Sequence, residues 1–203
     1  MIHILGIVGS PRKGKNSDAL VQKVLDGAYD NGAKTTKIYL NDLEIKPCQA
    51  CSKHPAPKYC IYNDGMSKLY NLFGTVDGII LGTPAYYETI SSQTKLMIDR
   101  CNCLTKIKRY RNGKTQFIHR IKNPKLGIFI WVADCSTDIK PALASIRFWC
   151  QDINLEIIKT IKMTHSDRKD SPINKLLIEA SKAGKYLIQK IQIRRNKQGK
   201  RKQ

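Results

Sequence analysis

The chain has 203 residues, of which 41% are hydrophobic and 26% are charged. That length suits one domain with a single large core, and no apolar run reaches the roughly 18–20 residues that cross a bilayer. The net charge of +20 is concentrated in residues 106–125 and 190–203, which carry eight and seven Lys/Arg and no acid. The first apolar run is short and has no basic segment before it, so we expect a cytoplasmic protein whose seven cysteines are thiols or ligands.

Apolar strands and amphipathic helices alternate along the chain. Short apolar runs predict five strands, at residues 2–8, 34–40, 76–82, 125–133 and about 155–162. Apolar residues at helical spacing predict helices from Ser17, from about Asp64, over 91–104, and over about 137–151 and 173–191. This alternation predicts an α/β fold with a doubly wound, five-stranded parallel sheet, whose ligand lies beyond the carboxyl ends of the strands. Residues 106–125 interrupt the pattern as a basic insertion, and residues 191–203 are expected to form a disordered basic tail.

The segment between the first strand and the first helix, GSPRKGKNS (9–17), indicates an anion site. A helix N-terminus presents unpaired N–H groups and a partial positive charge. The segment matches neither the Walker A pattern nor GxGxxG, so a single terminal phosphate fits it better than a nucleoside triphosphate or a Rossmann dinucleotide. The simpler alternative is a surface turn with Asn16 or Ser17 as the helix cap. The polar side chains available to a phosphate are Ser10, Arg12, Asn16 and Ser17.

The loop after the third strand, GTPAYYETISSQTK (82–95), supplies flat apolar surface beside the first loop. Pro84 stiffens the backbone, and Tyr86 and Tyr87 follow it. Aromatic faces and backbone N–H groups suit a planar, polar heterocycle. Alternatively, both tyrosines cap the core or a subunit contact. Because the two loops border the same crevice, together they favour one ligand with a phosphate and a flat ring.

Four motifs in order carry a resemblance to a known family. The series GSPR…NS, PCxxC…C, DGM..LY and GTPAYY..ISSQTKLMIDR resembles the flavodoxin-like NADPH-dependent FMN reductase family, above all its iron–sulfur flavoprotein branch, over residues 1–104. The resemblance implies the strand order 2-1-3-4-5, an FMN-binding domain over residues 1–190, and a homo-oligomer, either a dimer or a tetramer.

The resemblance also assigns roles to individual residues. The implied phosphate contacts are Ser10, Arg12, Asn16 and Ser17, with Lys15 added where the family often has glycine. The implied neighbours of the isoalloxazine ring are Pro84, Ala85, Tyr86 and Tyr87. A third flavin loop is implied at VADCSTD (132–138), where Asp134 is the candidate contact.

The segment PCQACSKHPAPKYC (47–60) is a candidate metal loop. Its candidate ligands are Cys48, Cys51, His54 and Cys60. By resemblance they would hold a 4Fe–4S cluster, although cubane clusters normally take four thiolates and this chain has a histidine at the third position. Three cysteines and one histidine also suit tetrahedral zinc, and a loop that binds nothing is the third alternative. The remaining cysteines are expected to pack in the core: Cys101, Cys103, Cys135 and Cys150.

Three functions follow from these features. The first is an oxidoreductase in which NAD(P)H reduces bound FMN; hydride transfer needs no side-chain acid or base, so no catalytic residue is named. The second is an electron-transfer protein whose partner is an acidic, ferredoxin-type donor, favoured by the basic insertion. The third is a nucleic-acid-binding protein, suggested by the basic tail but lacking interleaved aromatic residues and any recognised module.

Overall fold

The computed structural model describes residues 1–53 and 55–200, apart from the side chains of residues 199 and 200. Within that part of the chain, no helix has the length and apolar character that crossing a bilayer requires. The strands are β1 (His3–Val8), β2 (Lys34–Tyr39), β3 (Gly78–Pro84), β4 (Thr105–Arg109), β5 (Thr115–His119), β6 (Lys125–Val132) and β7 (Leu155–Met163). The α-helices are α1 (Asn16–Tyr29), α2 (Met66–Thr75), α3 (Ser92–Arg100), α4 (Lys140–Asp152) and α5 (Ile173–Lys200).

Five of the strands form one parallel sheet in the order β2-β1-β3-β6-β7. Counted along the chain, these five strands have the order 2-1-3-4-5, so the predicted doubly wound fold is confirmed. The register pairs Val8 with Gly82 and Pro84 with Val132. The carboxyl ends of β1, β3 and β6 therefore finish side by side, and the loops that follow them share one edge of the sheet.

Helices cover both faces of this sheet. Successive side chains of a strand point to opposite faces. On β1, Leu5 and Ile7 therefore join a core formed with α2, α3 and α4, whereas Ile4 and Val8 join a second core formed with α1 and α5. Each inner strand is apolar on both faces because both faces are covered, which explains the continuous apolar runs in the sequence.

Helices α1 and α5 approach each other through two glycines. A Cβ atom on Gly27 would lie 2.0 Å from the carbonyl oxygen of Ser181, and one on Gly184 would lie 2.1 Å from that of Val24. Both distances are far below van der Waals contact. The two backbones pack this closely because neither glycine carries a side chain.

Two segments differ from the sequence-based expectations. The basic insertion contains an antiparallel hairpin, β4–β5, which leads into the amino end of β6. The basic tail is helical as far as Lys200, so the expectation of disorder from residue 191 is corrected for 191–200. Ile191 packs in the core below α1, and Arg194 and Arg195 form ion pairs with acids on the strand side, which explains why the helix continues. Residues 201–203 of the predicted tail lie outside the described residues.

Candidate functional site

A cavity of about 90 Å³ lies at the carboxyl edge of the sheet. One water needs roughly 10–15 Å³ by the same kind of measure, so the cavity has room for a phosphate-sized group. Four loops contribute to it, those after β1, β3, β6 and β7. Its lining residues are Ser10, Arg12, Lys15, Asn16, Ser17, Pro84, Ala85, Tyr86, Val132, Asp134, Ser166 and Asp167.

The loop after β1 leaves the start of α1 open towards this cavity. Lys15 is the residue preceding the helix, and among the described residues no side chain caps the helix at that position. Ser10 is buried and its hydroxyl accepts a hydrogen bond from the Arg12 N–H at 3.2 Å. The Asn16 amide donates to the Ser166 carbonyl at 3.2 Å, which joins the first loop to the loop after β7. The first amides of α1 and two cations, Arg12 and Lys15, thus surround a space suited to an anion.

A buried carboxylate fixes the turn beneath this loop. Asp18 accepts hydrogen bonds from the Gly14 N–H at 2.7 Å, the Lys37 ammonium at 3.0 Å and the Tyr39 hydroxyl at 3.0 Å. Burial alone would raise the pKa of Asp18, but these three donors together hold that pKa below its ordinary value. Gly14 has a φ of +70°, a conformation that favours glycine. Asp18 is therefore ionised and holds the turn in a shape that aims the following amides at the cavity.

A hydroxyl cluster joins the loop after β3 to the loop after β1. The Ser91 hydroxyl donates to the Gly9 carbonyl at 2.6 Å, and the Ser91 N–H donates to the Thr83 hydroxyl at 3.0 Å. Ser91 also caps α3, because its hydroxyl accepts from the Thr94 N–H. Thr83, Ser91 and Thr94 are all buried. The two loops that border the cavity are thus held at a fixed separation.

Most of the residues predicted for FMN lie around this cavity. Nine of the ten do so; the exception is Tyr87, which is fully exposed with a φ of +48° while its neighbour Tyr86 lines the cavity. Val132 lies in the predicted third loop, whereas sequence reasoning missed two lining residues, Ser166 and Asp167. Ser166 and Asp167 follow β7. Because the carboxyl ends of parallel strands lie at the same edge of a sheet, the loop after β7 could have been predicted to border the cavity. Their contact with FMN, like that of the nine, stays a prediction.

The cysteine loop lies beside the end of α3. Cys48 and Cys51 are exposed, Cys60 is partly buried, and His54 lies outside the described residues. The three cysteines line a small cavity of about 30 Å³ together with Cys103, which belongs to the 3₁₀ turn Cys101–Leu104. Within the described part of the chain, no three His, Cys, Asp or Glu side chains already form a metal-binding group.

The expectation that four other cysteines pack in the core is corrected for one of them, Cys135. Cys101 and Cys150 are buried, as expected. Cys135 is exposed because it lies in the loop after β6, beyond the end of the strand. Cys103 is partly buried: it packs against the core that holds Cys101 and also borders the cysteine loop.

Two arginines fasten the cysteine loop to the rest of the protein. Arg100 is 1% exposed and donates to both carboxylate oxygens of Asp64, to the Lys46 carbonyl at 2.7 Å and to the Cys60 sulfur at 3.4 Å. Arg120 donates to the Cys103 carbonyl at 3.2 Å. Its other acceptors are the carbonyls of Pro55, Lys58 and Tyr59. The chemistry of this donor set suits a thiolate-bound metal group, because four cysteine side chains and the buried cation Arg100 line one cavity.

Comparison with known proteins finds relatives of similar sequence and solved structures of similar fold. The iron–sulfur flavoprotein of Methanosarcina thermophila is 34% identical over 97 residues, 48% of this chain and 51% of that protein. An iron–sulfur flavoprotein of Methanocaldococcus jannaschii is 35% identical over 97 residues, 48% of this chain and 50% of that protein. This chain thus spans about half the length of the curated relatives it matches.

Solved structures share the fold at low identity. An NAD(P)H:quinone oxidoreductase from Methanothermobacter marburgensis superimposes with a TM-score of 0.70 at 12% identity, over 91% of this chain and 98% of that one. A flavone reductase gives 0.69 at 16% identity, over 94% and 63% of the two chains. These likenesses concern the fold alone. The model of the NADPH-dependent FMN reductase family matches residues 2–121, more than half of the chain. By that match, the chain belongs to the NADPH-dependent FMN reductase family.

Proposed function

We propose that this protein is an FMN-dependent oxidoreductase that binds FMN in the cavity at the carboxyl edge of the sheet. The observation that carries the proposal is the uncapped start of α1 beside Arg12 and Lys15, in a cavity that Tyr86 also borders. FMN bound there would supply the redox chemistry, namely acceptance of a hydride from NAD(P)H and transfer of the electrons to an acceptor.

The contribution of the protein is binding and orientation. The first amides of α1, with the Ser10 and Ser17 hydroxyls, would donate to the phosphate, and Arg12 would balance its charge. Pro84, Ala85 and Tyr86 would border the ring. The hydroxyl cluster around Ser91 fixes the distance between the phosphate contacts and the ring contacts. The ligand would therefore bind to a site that is already formed.

Comparing FMN with riboflavin tests this assignment, because riboflavin lacks the phosphate. Apoprotein titrated with each flavin should bind FMN more tightly. Arg12→Ala should weaken FMN binding about tenfold, as expected for one charge-assisted contact at an exposed position, and leave riboflavin binding unchanged. Lys108→Ala on the exposed strand β4 removes the same charge far from the cavity and serves as the control.

Three results would contradict the proposal: failure of the apoprotein to take up FMN, equal affinity for the two flavins, or failure of NAD(P)H to bleach the bound flavin under anaerobic conditions. The first two address the cavity, and the third addresses the donor. A homo-oligomer, dimer or tetramer, is part of the proposal; it is supported by Phe148, 63% exposed on α4, and tested by sedimentation equilibrium.

The relatives' names extend the proposal to a second redox group. By likeness to the iron–sulfur flavoproteins, the cysteine loop would hold a cluster, with Cys48, Cys51 and Cys60 as ligands. The proximity of these cysteines to the buried cation Arg100 supports it, because a thiolate-bound cluster carries negative charge. Such a cluster would exchange single electrons.

An electron carrier with an acidic, ferredoxin-type partner is the second candidate. The exposed cations of the β4–β5 hairpin favour it, since they would steer an acidic protein at low salt. However, the hairpin leads into the amino end of β6, and a strand of eight residues spans about 23 Å to the end that borders the cavity. A reduction rate by ferredoxin that does not fall with added salt would count against this candidate.

A further inference from the structure

We propose that Cys103, not His54, is the fourth protein ligand of an iron–sulfur cluster held by Cys48, Cys51 and Cys60. The inference rests on the cluster part of the proposed function. It does not depend on FMN, because iron and flavin are measured separately. Cys103 is about forty residues beyond the cysteine loop, so the compact spacing in the sequence gives no sign of it.

The first argument is the shared cavity. Cys48, Cys51, Cys60 and Cys103 all line the same space, bounded on its other side by Arg100. Cubane clusters are held by four thiolates as a rule, and these four residues supply four thiols without any histidine. Each thiol would lose its proton to solvent as its sulfur bonds to iron.

The second argument is an unmatched donor in the wall of that cavity. Arg100 is 1% exposed, and its Nε–H has no hydrogen-bond partner among the described residues. Buried donors are paired in the great majority of cases, so this one points to an acceptor that the described residues do not supply. Sulfur atoms of a cluster accept such bonds, and hydrogen bonds to those sulfurs are among the factors that set a cluster's potential.

The third argument is the way the two sides of the cavity are built. Arg120 bonds to the Cys103 carbonyl and to loop carbonyls at residues 55, 58 and 59, so the Cys60 end of the loop is held against the turn that carries Cys103. The other end is open: Cys48 and Cys51 are exposed on a stretch without helix or strand. There the Ala50 N–H already donates to the Cys48 sulfur at 3.5 Å, an amide-to-sulfur contact of the kind that tunes clusters.

The cavity of about 30 Å³ is too small for a cubane as it stands. Loading therefore requires the exposed Cys48–Cys51 stretch to move outward and turn its sulfurs towards iron. The Cys103 thiol, which donates a hydrogen bond to the Arg100 carbonyl at 3.3 Å, would give up that bond as its sulfur turns to iron. Ala50 and Ser52 both have positive φ values, 48° and 55°, which non-glycine residues adopt at some cost. The stretch is also exposed and contains neither helix nor strand, so it is the part of the site best able to change shape.

The test is anaerobic reconstitution of the protein with sulfide and an equal mixture of ferrous and ferric iron, the two iron states that a 4Fe–4S cluster contains. Wild-type protein should hold about four iron and four sulfide per chain. Cys103→Ala should lose most of both, His54→Ala should keep both, and Cys101→Ala, two residues away but buried in the core, should also keep both. The readouts are iron and sulfide content and the electron paramagnetic resonance signal of the reduced protein.

A labelling experiment covers the case in which Cys103→Ala fails to fold. Loaded and chelator-stripped wild-type protein are alkylated and mapped by mass spectrometry, and Cys103 should be protected only when loaded. Retention of the cluster by Cys103→Ala, its loss in His54→Ala, or equal labelling of Cys103 in both states would overturn the assignment. So would wild-type protein that binds zinc alone or no metal; FMN uptake in that protein would still leave the flavin proposal standing.

Discussion

Replacing Arg100 with methionine should destabilise the protein strongly, because it leaves a carboxylate buried without its cation. The side chains of Arg100 and Asp64 are 1% and 7% exposed, and both carboxylate oxygens accept from the guanidinium. In Arg100→Met, Asp64 would keep only backbone donors, the N–H groups of Lys46 and Met66. Breaking a buried pair from one side costs about 3–5 kcal/mol, and we expect a loss in that range at pH 7.

The pH dependence of this loss separates charge burial from lost packing. Burial alone would raise the pKa of Asp64, but Arg100 and the two backbone donors hold it below its ordinary value. The carboxylate therefore stabilises the wild-type protein above its unfolded pKa, and this contribution is lost as the pH falls through the lower folded pKa. In Arg100→Met the unpaired Asp64 should protonate more readily, so the deficit relative to wild type should shrink on acidification.

The assay is urea unfolding of the flavin-free protein, followed by the fluorescence of Trp131 and Trp149, both buried. The double variant Arg100→Met/Asp64→Asn removes the stranded charge and should recover about 1–2 kcal/mol of the deficit. A deficit below about 1 kcal/mol, or a double variant no more stable than Arg100→Met, would refute the reasoning.

Two further predictions concern packing and titration. Gly27→Ala should cost about 2 kcal/mol or more, because its Cβ would meet the Ser181 carbonyl at 2.0 Å. Gly74→Ala, in the last turn of α2, should be neutral or slightly stabilising, because its Cβ would meet only the Tyr59 hydroxyl at 4.0 Å. Equal effects in thermal melts would contradict this. Burial lowers the pKa of Lys125 to about 8. Between pH 8 and 10.5, Lys125 is therefore protonated more fully in the unfolded chain than in the folded protein, so the free energy of unfolding rises with pH. Relative to Lys125→Met, the wild-type free energy of unfolding should gain about 2.5 kcal/mol between pH 7 and 10, and a flat difference would count against the assignment.

Local patterns sufficed for the sheet and for the first two loops of the site. Strand β1, the glycine-led turn and the start of α1 follow one another in the chain, so their spacing and chemistry are visible together. The loop after β3 could be predicted for the same reason, because Pro84 ends an apolar strand and Tyr86 follows two residues later.

The remaining features depend on contacts between distant parts of the chain. Ser166 reaches the cavity only because β7 ends beside β6, and Cys103 meets the cysteine loop only because α3 ends there. The continuation of α5 past residue 191 was also invisible, since it depends on Ile191 packing below α1. The charge composition alone suggested a solvated tail. The burial of Ile191 among the lysines and arginines keeps this segment helical instead.

The position of Arg120 gives the basic insertion a structural role apart from its charge: it holds the cysteine loop in place. Arg120 comes directly after β5, in the segment that connects the hairpin to β6. Its guanidinium donates hydrogen bonds to three carbonyls of the cysteine loop. Shortening or lengthening the basic insertion would displace Arg120 and weaken its hydrogen bonds to the cysteine loop, even if every cysteine were kept. Changes in hairpin length and in the cysteine segment would therefore be tolerated together more readily than either one alone.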